Sequence, residues 1–102
     1  MSTTDQTFDE LLDSLTGYDE MAIKSVAKVP MSHLLETDPI LGSRHAIAIH
    51  QMRQSGQEGP KSYAAHYKAA MDLPLKDVRT YFAEEPEDVD PTDPDSESGK
   101  GD

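Results

Sequence analysis

The chain has 102 residues, with nine Lys and Arg against twenty Asp and Glu, and a formal net charge of −11 at pH 7. Hydrophobic residues make up 35% of it, with no Trp and no Cys, which is enough for one small core and excludes a second domain. The lack of Cys excludes a disulfide framework and a thiolate metal site, and fits a reducing compartment.

The start at Met1 has neither a basic n-region nor an apolar h-region, and the apolar run Ala46-Ile47-Ala48-Ile49 is far too short to cross a bilayer. A cytosolic protein without a membrane segment is expected. The charge is unevenly spread: residues 83–102 carry nine acidic side chains against Lys100 alone, whereas residues 1–82 carry eleven acidic against eight basic, a net of −3. Those eight cations are scattered, and phosphate contacts need clustered Lys and Arg, so binding to nucleic acid or anionic lipid is not expected.

In chain order, residues 1–6 are predicted to fray. Thr7-Phe8-Asp9-Glu10 then reads as a capping box that opens an apolar stripe at Phe8, Leu11, Leu12 and Leu15. Thr16 or Gly17 starts a second helix with Asp19 and Glu20 in its first turn and Tyr18, Met21, Ala22 and Val26 on one side, ending before Pro30. Residues 30–36 read as a connector or a single helical turn. Asp38-Pro39 places a cap ahead of a proline at the first helical position, and this central core helix runs to about Gln54. Its stripe of Ile40, Leu41, Ile47, Ala48 and Met52 is widened by Ala46 and Ile49, which suggests burial on two sides.

Pro60 restarts a helix with Tyr63, Ala64, Tyr67, Ala70 and Met71 facing inward. Asp72-Leu73-Pro74 repeats the cap-and-proline pattern before Leu75, Val78, Tyr81 and Phe82. No stretch alternates in the manner of a strand, so the fold class is all-α: a small bundle of about five short helices over residues 1–82. After Phe82 the apolar periodicity stops, and residues 83–102, acidic and carrying three prolines, are expected to form a disordered tail.

The sequence offers little chemistry. His33, His45, His50 and His66 include no pair at i, i+3 or i, i+4, so solvated or capping histidines are expected rather than a metal site. No Ser sits in a nucleophile elbow, and Gly56-x-x-Gly59-Pro60-Lys61-Ser62 has the wrong spacing for a phosphate loop. No catalytic residue, cofactor or metal is assigned, and an enzyme is not expected.

Three features taken in order resemble the short tail assembly chaperone of long-tailed bacteriophages, especially those infecting actinobacteria. The first is Leu15-Thr16-Gly17-Tyr18-Asp19-Glu20-Met21-Ala22-Ile23. The second runs from Leu41-Gly42-Ser43-Arg44-His45-Ala46 through Tyr63-Ala64-Ala65-His66-Tyr67 to Met71-Asp72-Leu73-Pro74-Leu75-Lys76-Asp77-Val78. The third is Phe82-Ala83-Glu84-Glu85-Pro86-Glu87-Asp88, finishing in Ser98-Gly99-Lys100-Gly101-Asp102.

The resemblance implies a protein that binds and solubilises the tape measure protein in the host cytoplasm during tail assembly, and that is not expected in the mature virion. It also implies two products from one message, the longer made by a backward ribosomal slip near Ser98-Gly99-Lys100, whose codons can form a slippery run. The expected partners are the tape measure protein, the longer frameshift product and further copies of the chain. Helical stripes nominate Ile40, Ile47, Ile49, Met52, Tyr63, Tyr67, Met71, Val78, Tyr81 and Phe82 as partner-binding residues, with Ile49 and Tyr67 at the outer edge. The alternative is an acidic inhibitor or adaptor that imitates DNA and occupies a host nuclease or transcription factor; it requires carboxylates along a rigid surface, whereas most of the charge lies after residue 82. Truncation after residue 83 is expected to leave helical circular dichroism and the melting midpoint nearly unchanged, and a fall of many degrees would place the domain boundary further along the chain.

Overall fold

Three helix starts are fixed by caps that the sequence displays. In the computed structural model, which describes residues 3–84, α1 (Phe8–Asp13) opens on a reciprocal capping box: the Glu10 N–H donates to Thr7 Oγ1 at 3.1 Å and the Thr7 N–H to Glu10 Oε1 at 2.9 Å. A second box between Thr16 and Asp19 opens α2 (Gly17–Ala27). Asp38 caps α4 (Pro39–Ser55) by accepting from the Leu41 N–H, with Pro39 at the first helical position.

The other three starts use backbone and proline alone. α3 (Met31–Thr37) follows Pro30, α5 (Pro60–Met71) follows Gly59, and α6 (Leu75–Arg79) follows Pro74, each without a side-chain cap. Asp72, expected to cap the last helix, instead ends α5. The segment expected to be a connector is thus a two-turn helix, and Gly42 explains how it fits. A Cβ there would lie 3.1 Å from Leu35 Cδ2, so the glycine lets α3 lie close against α4.

α4 is the axis of the bundle. α1, α3, α5 and α6 all pack on it, and every residue from His45 to Ile49 is essentially enclosed, with His50 and Met52 also buried. A helix covered on all sides needs no polar face. Leu11, Ile23, Leu34, Tyr63, Ala70 and Val78 bring the neighbouring helices onto it. The described residues are all-α as expected, apart from one isolated parallel bridge between Thr7 and Ala83.

That bridge corrects both expected ends of the domain. The N–H groups of Thr3 and Thr4 donate to the Tyr81 carbonyl, Ala83 N–H donates to the Gln6 carbonyl, and Phe8 meets Phe82 edge-on at 5.6 Å between centroids. Residues 3–6 are therefore held rather than frayed, and Ala83 belongs to the fold. The rest of the expected disordered tail, from residue 85, lies outside the described residues.

Two histidines expected in solvent or at caps are inside. His50 Nδ1 shares a 2.6 Å hydrogen bond with the Tyr81 hydroxyl, and His45 Nδ1 shares one with Tyr63. The His45 ring stacks on Tyr67 at 4.3 Å between centroids. In either tautomer its Nε2 has no partner, so a proton added there would be a buried, unpaired charge.

Burial accordingly holds His45 down from 6.5 to about 4, and lowers His50 by desolvation first and the Arg53 charge second. Between pH 6.5 and about 4 the unfolded chain takes up a proton at His45 that the native state refuses. Stability is thus expected to be full above pH 6.5 and to fall towards pH 4, by on the order of 3 kcal/mol for this group, then to level off. Urea midpoints across that range measure the fall. Replacing both ends of the hydrogen bond with His45→Phe and Tyr63→Phe should remove the share due to His45 and leave the part due to His50.

Candidate functional site

The orientation of α2 is set by a carboxylate that points inward. Asp19, only 5% exposed, accepts from the Thr16 N–H through Oδ2 and, on the same oxygen, from Arg53 Nη2 at 2.5 Å. Arg53 also donates to the Ser14 hydroxyl at 2.7 Å and the Ser14 carbonyl at 3.1 Å. One guanidinium near the end of α4 thereby holds the end of α1 and the start of α2. Ile23, one turn after Asp19 on the same face, fills the core beneath.

With Asp19 and Ile23 inside, the stripe of Tyr18, Met21 and Ser25 faces outward. Tyr18 is 84% and Met21 69% exposed. The sequence placed these two on an apolar side together with Ala22 and Val26; the structure turns that stripe half away from the core, because the paired carboxylate sets the rotation. Together with Ala22, Met52, Gly59 and Pro60 they line an open groove of about 440 Å³, bordered by Glu58.

Further exposed apolar side chains lie at the opposite end of the α4–α5 hairpin. Arg44 Nη1 donates to the carbonyls of Ala70 (2.7 Å) and Leu73 (2.8 Å), and more weakly to Met71, which places a cation on the open C-terminal end of α5. One turn before Arg44 lies Ile40, and beside its carbonyl partners lie Met71 and Leu75; these three are 37%, 46% and 41% exposed. Twelve residues of α4 separate Ile40 from Met52, about 18 Å at the helical rise.

Of the ten nominated partner-binding residues, therefore, Ile40 and Met71 are on the surface and Tyr67 is half-buried. Ile47, Ile49, Met52, Tyr63, Val78, Tyr81 and Phe82 are core. Ile49, nominated for the outer edge, is fully enclosed because α4 has neighbours on every side. Tyr18, Met21 and Leu75 are exposed residues that the sequence did not nominate. The signal for the first two was the capping box itself: a carboxylate at its third position and an isoleucine four residues on share one face, so Tyr18 and Met21 lie off it.

Among the described residues no three His, Cys, Asp or Glu side chains converge on a metal-sized site, and no helix is long and apolar enough to cross a membrane. The two surfaces can do one kind of chemistry, which is to remove apolar side chains of a protein from water.

Asp19→Ala removes half of the Thr16–Asp19 capping box and the anionic partner of Arg53, which keeps its two bonds to Ser14, and is expected to cost about 1–2 kcal/mol, read as a lower urea midpoint. Asp19→Asn keeps an acceptor for the cap and should fall between the two. No protein-family model, curated protein or solved structure matches the chain.

Proposed function

We propose that this chain is a protein-binding helical module, the short form of a phage tail assembly chaperone. It binds the apolar helices of the tape measure protein in the host cytoplasm, alongside the longer product of the same gene, and keeps them in solution until tail-tube subunits enclose them. It self-associates while doing so. No residue has a catalytic role in this reading.

The observation that carries the proposal is the presence of two separate outward apolar surfaces on one small acidic domain. A chaperone that both associates with itself and holds a client needs two such faces. Tyr18, Asp19, Met21 and Ala22 of the groove lie in Leu15–Ile23, the first segment that resembles the family, while Ser25, Met52, Glu58, Gly59 and Pro60 lie outside it; Met71 and Leu75 lie in the last part of the second. Side chains at such positions dock as the anchors of an amphipathic helix laid across them. The excess of carboxylates keeps client-laden assemblies apart by mutual repulsion.

The test is co-expression with a tape measure protein, followed by measurement of how much of it stays in the supernatant and co-purifies. The wild-type chain should retain it. Ile40→Asp combined with Met71→Asp, both at surface positions, should leave helicity intact and lower the retained fraction about tenfold. Tape measure protein that remains insoluble beside the wild-type chain would overturn the proposal.

A further inference from the structure

Sulfur in this chain is confined to thioethers, since there are five methionines and no cysteine. Met1 lies outside the described residues, and the fold divides the other four into two classes. Met21 on α2 is 69% exposed and Met71 at the end of α5 is 46% exposed, whereas Met31 is 5% and Met52 2% exposed.

The buried pair serve packing. A Cβ on Gly42 would stand 3.6 Å from Met31 Sδ, which places that sulfur in the contact between α3 and α4. Met52 borders the α2 groove, yet its side chain is enclosed in the core. Water and small solutes reach neither sulfur while the domain is folded.

The exposed pair stand where the proposed function needs apolar surface. Among the described residues five large apolar side chains are exposed: Tyr18, Met21, Ile40, Met71 and Leu75. Met21 belongs to the α2 groove and Met71 to the opposite end of the α4–α5 hairpin. Neither holds the fold. α2 is fixed by Asp19 on Arg53 and by buried Ile23, and α5 by buried Tyr63 and Ala70.

A peroxide converts such a thioether to a sulfoxide. The sulfur lone pair attacks one peroxide oxygen, the S–O bond forms as the O–O bond breaks, and the other oxygen leaves as water. Sulfur is oxidised by two electrons and the peroxide is reduced by two. The product is a polar hydrogen-bond acceptor in place of a flexible apolar side chain, and covering it with apolar surface is unfavourable. A dithiol reverses the step through a sulfoxide reductase, releasing the oxygen as water and becoming a disulfide.

We infer that Met21 and Met71 are reversible oxidation sites that turn the two apolar surfaces off, while the enclosed Met31 and Met52 leave the fold intact. The inference deepens the proposed function, whose client-binding surfaces it regulates, and rests on it.

Treatment of the full chain with hydrogen peroxide, followed by peptide mass mapping, should place oxygen on Met21 first and Met71 second. Met31 and Met52 should react only after urea has unfolded the domain. Circular dichroism should not change. Binding of an anilinonaphthalene sulfonate dye, which reports apolar surface without any client, should fall about threefold, and the oxidised chain should keep about tenfold less urea-diluted tape measure protein in solution. Both readings should recover on incubation with a dithiol and methionine sulfoxide reductase. The double variant Met21→Leu, Met71→Leu has no sulfur at either site, so peroxide should move neither reading from that variant's own untreated value.

Oxidation of Met31 or Met52 as fast as Met21 in the folded chain overturns the inference. So does complete oxidation of Met21 and Met71 that leaves dye binding unchanged or captured client undiminished, and so does an equal loss in the double variant. An untreated chain that binds the dye but keeps no tape measure protein in solution overturns the chaperone reading alone, and the mapping and the dye then decide the oxidation switch.

Discussion

The contact between Asp19 and Arg53 decides the shape of this domain more than its size suggests. The guanidinium, carried by α4, reaches both the Ser14 residue that ends α1 and the Asp19 carboxylate in the first turn of α2, so one side chain ties three helices. Because Asp19 serves as cap acceptor and ion-pair partner at once, α2 cannot rotate without losing both. Its apolar stripe is exposed as a consequence of electrostatics, against what hydrophobic burial alone would favour. A buried polar contact that fixes register while giving up apolar burial is a known way of specifying one arrangement over its alternatives.

The same preference for polar specification runs through the core. His45 with Tyr63, and His50 with Tyr81, place hydrogen bonds where aliphatic side chains would pack without directional demands. Each pair joins α4 to a segment later in the chain. Ring stacking of His45 on Tyr67 adds a planar contact that admits few orientations. An orphaned Nε2 at the centre is the cost of that arrangement, and it ties the fold to neutral pH.

Much of the fold was legible where local chemistry is strong. The box at Thr7–Glu10 and the Asp38-Pro39 pair announce their helices because a short polar side chain and a fixed φ act within one turn, whereas for α2 the start at Thr16 or Gly17 was legible and the Thr16–Asp19 box was not read. α3 was not legible as a full helix, since it begins at Pro30 without a side-chain cap and buries only Met31 and Leu34. The division between core and surface was least legible. Ile49 and Tyr18 both sit on apolar stripes, and which stripe is covered depends on how many helices surround each one. For α4 that was settled by four neighbours, three of them short, and for α2 by a carboxylate whose inward direction only the partner Arg53, 34 residues away, explains.

The bridge between Thr7 and Ala83 has a consequence for the order of synthesis. Chains are made from the N-terminus, and their domains tend to fold as units once complete. Here the first segment described, Thr3 to Phe8, exchanges three backbone hydrogen bonds with Tyr81 and Ala83 and takes its aromatic neighbour from Phe82. Until those residues leave the ribosome, the Thr3 and Thr4 N–H groups and the Gln6 carbonyl lack these partners and Phe8 lacks Phe82, so a nascent domain carries an open flank throughout its translation. The acidic residues that follow Ala83 emerge just as that flank closes.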